Sequence, residues 1–341
     1  MNITVVGAGA IGGTVGAYLV RAGYSVTFCD TVEAHVAVIR DNGLTIRGWA
    51  ETFTVHTPAC TPAELNGPLE LVLLAVKAHH TRAALQIVAP LLSESGYIVS
   101  LQNGLNEYTI AEAVGARRTI GCFINFSADY LEPGLIHFGG PGAFKIGELD
   151  GVMTPRLKHL HELLSAWGQV DMTDNIWGYL WGKLGYANML YATALVDASM
   201  AEVIDRYRLL MVALATEVYR VADALHITPE PFDGVEPALY YPPETRDWPA
   251  IQRSLDALVE RRRRDQKTRS GIWRDLAVRR RRTEVDEQLG AVIRQADSLN
   301  LPVPLMRRIV QRIHELEDDP GRMSWALVVE LETMRQAEEA K

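Results

Sequence analysis

MNITVVGAGAIGGTVGAYLVRAGYSVTFCD, residues 1–30, is the stretch whose reading decides the fold. Ile3-Thr4-Val5-Val6 is a β-branched run that passes directly into Gly7-Ala8-Gly9-Ala10-Ile11-Gly12, a G-x-G-x-x-G turn. The glycines divide the work. Gly7 permits a tight turn, Gly9 lets backbone approach a pyrophosphate, and Gly12 lets the following helix close on the strand and aim its first N–H groups at the anion. The motif alone is weak, but here it opens a helix expected over residues 13–22 and leads to a second strand, residues 25–29, that ends in Asp30. A carboxylate there is placed to accept hydrogen bonds from an adenosine ribose and to repel a 2′-phosphate. Gly7, Gly9, Ala10, Ile11, Gly12 and Asp30 are therefore the expected cofactor contacts, with NAD(H) preferred and NADP(H) left open.

The 341 residues are enough for two domains with separate cores. With 48% hydrophobic and 22% charged residues the composition is that of a globular protein, and a net charge of −8 argues against a nucleic-acid or anionic-membrane partner. No run approaches the length of a membrane span, and the first residues lack the basic region of a secretory leader. The three cysteines, Cys29, Cys60 and Cys122, fall in or near apolar strands and read as reduced core residues of a cytoplasmic protein. The sequence is compatible with a homodimer.

Outward from the first unit, a helix is expected over residues 32–42 and strands over 43–47 and 51–55. Residues 69–76 form a near-continuous apolar run, the mark of a strand buried on both faces of a parallel sheet, and it ends at Lys77. Ligands of open α/β sheets sit outside the carboxyl ends of the strands, so Lys77 either faces the cofactor crevice or is a solvated lysine at a helix start. After a helix over 81–92 and a strand over 97–101, Gln102-Asn103-Gly104 breaks at the same edge, where Asn103 is either a ligand-facing residue or ordinary turn punctuation. Strands at 119–125, 135–138 and 143–147 follow, the last two joined as a hairpin by Gly139 to Gly142, then a helix over 155–167 and a strand over 170–172. This gives an α/β Rossmann-like domain, residues 1–174, and an all-helical domain, residues 175–341, that supplies substrate and catalytic groups. Helices are expected over 176–198, 202–225, 250–265 and 272–299 and after Pro304, with a proline-rich insertion at 226–249. The runs Arg261–Arg264 and Arg279–Arg282, interleaved with Glu260, Asp265, Asp275, Glu284 and Asp286, read as solvated helix faces.

In the helical domain two polar residues stand out. Lys183 lies in Trp177-Gly-Tyr-Leu-Trp-Gly-Lys-Leu-Gly-Tyr-Ala-Asn188, where most neighbours are apolar or small, so it is paired, functional or reaching for solvent. Desolvation there is expected to lower its pKa. Glu284, in Arg282-Thr-Glu-Val-Asp286, is either a site carboxylate or an exposed helical one.

Gly7 to Gly12, Ala75-Val-Lys77, Gln102-Asn-Gly104, Trp181-Gly-Lys-Leu184 and Thr283-Glu-Val-Asp286, in that order, resemble the ketopantoate reductase family over nearly the whole chain. The resemblance implies a Rossmann-like domain with a helical partner, and hydride transfer between a nicotinamide and a small 2-keto or 2-hydroxy carboxylic acid. It matches Lys183 to the catalytic lysine at the carbonyl oxygen and Glu284 to the acid that bonds the substrate hydroxyl. Lys77 and Asn103 match residues beside cofactor and substrate. Where pantoate-forming members carry asparagines four and eight residues after the lysine, this chain has Ala187 and Tyr191, with Asn188 one step out of phase. Gly271 stands where they carry a serine, and one extra residue separates Asp275 from Glu284. A substrate other than ketopantoate is therefore expected. The alternatives are ketopantoate reduction itself, a β-hydroxyacid or opine-type dehydrogenase, and a non-catalytic NAD-binding sensor.

Overall fold

The computed structural model describes residues 1–264 and 267–340, and the chain divides into two compact units, Met1–Ile176 and Trp177–Lys341. The first contains β1 (Ile3–Val6), α1 (Ala10–Arg21), β2 (Val26–Cys29), α2 (Glu33–Asn42), β3 (Leu44–Arg47), β4 (Thr52–Val55), β5 (Ala59–Cys60) and β6 (Leu69–Leu74). Then come α3 (Thr81–Leu91), β7 (Leu92–Ser100), α4 (Asn106–Val114), β8 (Thr119–Ile124), β9 (Ala128–Glu132), β10 (Leu135–Phe138), β11 (Phe144–Glu148), α5 (Pro155–Leu164) and β12 (Asp171–Met172).

Eight strands form the main sheet in the order β12-β11-β8-β7-β6-β1-β2-β5, parallel from β8 to β5, with β11 antiparallel to β8. All four residues of β1 and all but Glu70 of β6 are buried, which is why neither strand alternates in polarity. The chain leaves β1 towards β2 on one side and β6 towards β7 on the other, so the order reverses between β1 and β6. Their carboxyl ends are the place where an open α/β sheet takes its ligand.

A second sheet, β4-β3-β10-β9, covers the other side of α1. Glycine lets the helix sit this close to both layers. A Cβ at Gly16 would strike the Phe28 ring of β2, and one at Gly13 would strike Ile136 of β10. Tyr18 meets Phe53 and Phe138 edge-on, with ring centroids 5.1 and 5.9 Å away. This layer corrects the expected hairpin: β10 pairs with β3 and β9, while β11 joins the main sheet, so Gly139 to Gly142 carry the chain from one sheet to the other. The hairpin partner of β10 is β9, turned by Pro133-Gly134, a strand the sequence reading missed.

The second unit is mostly helical. It comprises α6 (Ile176–Thr193, its first residue in the first unit), α7 (Met200–Arg206), α8 (Arg208–Ala224), the single turn α9 (Pro237–Tyr240), α10 (Trp248–Arg264), α11 (Gly271–Ala277), α12 (Val285–Ser298), α13 (Pro304–Asp318) and α14 (Trp325–Glu339). Three expected helices are each two. The 202–225 pattern breaks at Tyr207, whose ψ is 44°. The segment after Pro304 breaks around Pro320. The 272–299 pattern breaks between Ala277 and Val285, where Arg280 has φ 47° and Asp275 takes hydrogen bonds from Arg279 (2.9 Å) and Arg281 (3.0 Å). Arg279–Arg282 is therefore a connection tied by ion pairs rather than a helix face. Arg261–Arg264 does close α10, with Arg263 paired to Asp205 and Glu260; Asp265 lies outside the described residues. Among the described residues no helix is long and apolar enough to cross a membrane.

Candidate active site

The three glycines of the first turn have different structural reasons to be glycine. Gly7 has φ 95°, and a Cβ there would lie 2.7 Å from the Val76 nitrogen, so the turn is pressed against the end of β6. At Gly12 a Cβ would collide with the Gly7 carbonyl oxygen and lie 2.8 Å from the Ala75 Cβ. Gly9 is constrained by neither: its φ is −70°, and a Cβ would meet nothing within 4 Å. It is the N-cap of α1 and offers no capping side chain, so the helix start is bare backbone facing open space.

Ala8, between the glycines, is pinned at both ends. Its N–H donates to Asp30 Oδ2 (2.8 Å), and its carbonyl accepts from His35 Nε2 (2.8 Å). The Gly134 N–H donates to His35 Nδ1 (2.9 Å), so the buried imidazole is the neutral tautomer with its proton on Nε2. Asp30 follows the end of β2, and its Oδ1 takes the Val32 N–H (3.0 Å). Each carboxylate oxygen then has one hydrogen bond from the chain and acceptor capacity left for a diol.

Lys77 and Asn103 are both exposed, in the connections after β6 and β7. A buried ladder of side chains sets those connections. Gln102 Nε2 donates to the Val76 carbonyl (2.8 Å) and to Thr81 Oγ1 (2.7 Å), Thr81 donates to Asn106 Oδ1 (2.9 Å), and Asn106 Nδ2 donates to the Asn103 carbonyl (2.7 Å). Gly104, with φ 92°, lets the chain turn into α4. The first unit thus gathers Gly7, Gly9, Asp30, Lys77 and Asn103 along the carboxyl ends of β1, β2, β6 and β7.

In the second unit, glycine again sets the approach. A Cβ at Gly182 would lie 2.6 Å from the Glu230 carbonyl oxygen, and one at Gly185 would overlap the Tyr219 ring. Tyr219 donates to the Gly182 carbonyl (3.0 Å) and Glu230 N–H to that of Gly178 (2.9 Å), which fixes the rotation of α6. Lys183 is half-buried on this helix between the buried Trp181 and Leu184. Glu284 is the N-cap of α12 and only 8% exposed, so it is not a surface helical carboxylate. Its neighbour Thr283 is held by Glu317 of α13, which accepts from the Thr283 N–H and hydroxyl (both 2.7 Å). Burial, then the charges of Glu284 and Glu287, hold the Tyr191 phenol on α6 well above its usual range. Asn188 is turned away, its Nδ2 on the Leu214 carbonyl of α8 (2.9 Å).

His35, Thr81 and Asn106 were not singled out by the sequence reading. Apart from the Asn103 carbonyl that Asn106 reaches, their partners lie 21 to 99 residues away, so little in the local pattern announces them. Among the described residues no group of acidic, histidine or cysteine side chains could hold a metal.

The family model described as ketopantoate reductase PanE/ApbA matches residues 3–151, and that of its C-terminal part matches residues 175–317. A 2-dehydropantoate 2-reductase of Mesorhizobium japonicum is 29% identical over 255 residues, which is 67% of this chain and 77% of the relative. Among solved structures, a PanE/ApbA family ketopantoate reductase from Ralstonia eutropha JMP134 superposes with a TM-score of 0.77 at 24% identity, covering 93% of this chain and 99% of that one. D-mandelate dehydrogenase with NADH and anilino(oxo)acetate gives 0.79 at 22% identity, over the same shares. At these identities the structures speak for the fold. The two matched regions together span most of both units, and the chain belongs to the ketopantoate reductase PanE/ApbA family of nicotinamide-dependent oxidoreductases.

Proposed function

We propose that this chain is an NAD(H)-preferring oxidoreductase that interconverts a small 2-keto acid other than ketopantoate and its 2-hydroxy acid. The observation that carries the cofactor half is Gly9. Neither its backbone angles nor packing within the chain calls for glycine, so the space a side chain would fill is kept for something from outside. A pyrophosphate on the uncapped start of α1 fits that space. Asp30, with acceptor capacity on both oxygens, fits the ribose hydroxyls of NAD(H) and opposes a 2′-phosphate. When bound, a nicotinamide supplies or accepts the hydride.

The remaining steps fall to the chain. Reduction puts negative charge on the carbonyl oxygen, and Lys183 Nζ stabilises that charge and gives the oxygen its proton; oxidation runs the same transfer backwards. Glu284 accepts a hydrogen bond from a substrate hydroxyl, and Lys77 and Asn103 hold groups beside the nicotinamide. Ala187 and Tyr191, together with Asn188 committed to Leu214, support a substrate other than ketopantoate. That D-mandelate dehydrogenase, which shares the fold, binds NADH together with anilino(oxo)acetate is in keeping with this reading. A panel of 2-keto acids that includes ketopantoate, each assayed with NADH and NADPH, tests the proposal. The reading expects the highest kcat/KM for NADH with another keto acid; ketopantoate with NADPH as the best pair would overturn it.

A further inference from the structure

Cys29 and Cys60 are direct partners in the parallel pairing of β2 with β5, so their side chains leave the same face of the sheet. The packing agrees, since both join the apolar cluster of Leu74 and Val88, whereas Phe28 and Ala59 join the cluster on the opposite face. Neighbouring strands lie about 4.7–4.9 Å apart, inside the ~4.4–6.8 Å between Cα atoms that a disulfide spans. Both thiols are free. Cys29 is buried, while Cys60 lies on the edge strand of the sheet and is partly exposed.

We propose that Cys60 and Cys29 form a peroxide-sensitive thiol pair, Cys60 the attacking and Cys29 the resolving residue, whose closure to a disulfide weakens binding at the adjoining Asp30. A hydrogen bond from Cys29, then the Arg40 guanidinium, draw the Cys60 thiol below its ordinary range against burial and the Glu64 carboxylate. Arg40 is fixed there, donating to the Ala59 carbonyl and to Glu64 (both 2.6 Å). A partly exposed thiol of this kind beside a second cysteine is the arrangement that senses oxidants.

The chemistry balances with hydrogen peroxide as oxidant. The Cys60 thiolate attacks one peroxide oxygen, an S–O bond forms as the O–O bond breaks, and water leaves after taking up a proton. The Cys29 sulfur then attacks the Cys60 sulfur, an S–S bond replaces the S–O bond, and the hydroxide leaves as water with the Cys29 proton. Two thiols lose two electrons in all, and the peroxide becomes two waters. The coupling to Asp30 is short: the Asp30 N–H donates to the Cys60 carbonyl (3.1 Å), and Cys29 is its chain neighbour. The spacing already suits a disulfide, but its fixed torsions pull on the Cys29 and Cys60 backbone, and that backbone aims the Asp30 carboxylate at Ala8.

The coupling half rests on the cofactor reading above; the thiol half does not. The test treats folded protein with hydrogen peroxide, maps thiols by peptide mass spectrometry, and titrates NADH by fluorescence before and after dithiothreitol. The expected result is a Cys29–Cys60 disulfide with Cys122 still reduced, NADH binding weaker by about fivefold or more, and recovery on reduction. In Cys29→Ser, Cys60 should instead be trapped as a sulfenic acid by dimedone; Cys60→Ser should form neither product and keep its NADH affinity under peroxide. Oxidation of Cys122 ahead of the pair, or no disulfide at all, overturns the thiol half. A disulfide that leaves NADH affinity unchanged overturns the coupling. A reduced protein that binds no NADH refutes the cofactor reading instead, and the peptide map still decides the thiol pair.

Discussion

Replacing Gln102 by glutamate keeps the shape of the side chain and turns a donor into an acceptor at the centre of the ladder beneath Lys77 and Asn103. The amide now donates to the Val76 carbonyl at 2.8 Å and to Thr81 Oγ1 at 2.7 Å. Thr81 cannot reverse its hydroxyl to help, because it already donates to Asn106. The two lost hydrogen bonds cost about 1 kcal/mol each, and a buried carbonyl facing a second acceptor adds about 1–2 more, so Gln102→Glu should destabilise the first unit by about 3–4 kcal/mol at neutral pH. With a urea m-value of about 2–3 kcal/mol/M, the unfolding midpoint of that unit should fall by roughly 1–2 M. The sign with pH follows. Burial raises the pKa of the introduced carboxyl, and its protonated form can donate one of the lost bonds, so the defect should shrink as pH falls from about 8 to about 5. Because both connections are held by this ladder, kcat/KM with NADH should drop by about 10–100-fold, the scale of a sub-ångström to ångström misplacement. Circular dichroism melts in urea at the two pH values, with steady-state kinetics alongside, check the reasoning. An unchanged midpoint and unchanged kinetics would refute it.

Asp30→Ser should lower the ratio of kcat/KM for NADH over NADPH by about tenfold or more, since it removes both the diol partner and the charge that opposes a 2′-phosphate; a ratio that does not move removes Asp30 from cofactor choice. Gly9→Val should abolish NADH binding in a fluorescence titration while circular dichroism keeps the helical signal, because the side chain enters space the chain leaves open. Glu217 of α8 accepts from the N–H groups of Leu305 (2.9 Å) and Met306 (2.8 Å), yet burial pushes its carboxyl up to about 7. A raised pKa means its contribution is fully present below the ordinary carboxylate range and lost as pH rises towards 7, by about 3 kcal/mol over that interval. Subtracting the urea stability of Glu217→Gln from that of the unmodified protein across this range should isolate the loss, and a flat difference would contradict it.

The turn at Gly7 to Gly12 and the strands that run up to Asp30 and towards Lys77 were legible because their chemistry is local: apolar runs bounded by glycine or a charge, although β6 stops at Leu74, two residues before the apolar run does. The second sheet was not, because β10 pairs with β3 some ninety residues earlier in parallel register and nothing near Gly139 says which sheet comes next. The helical breaks at Tyr207 and Arg280 were missed for a related reason. At Tyr207 neither glycine nor proline marks the interruption, and at Arg280 the six polar residues Arg279 to Glu284 read equally well as a solvated helix face, the turn being held by Asp275 from only four and six residues away. Of the candidate site, the motif residues could be named from sequence. The side chains that aim them, His35 at Ala8 and the Gln102–Thr81–Asn106 ladder at Asn103, came only with the fold.

The central claim is that Lys183 gives the carbonyl oxygen its proton, and Lys183→Ala tests it most directly. With the best keto acid from the panel and NADH binding measured separately, the account predicts a loss in kcat of about two to four orders of magnitude with NADH affinity little changed. Lys183→Arg should restore little, because a guanidinium keeps the charge and does not readily release a proton. A Lys183→Ala protein that binds NADH and turns over within about threefold of the unmodified rate would contradict the account and hand the proton to water or another side chain.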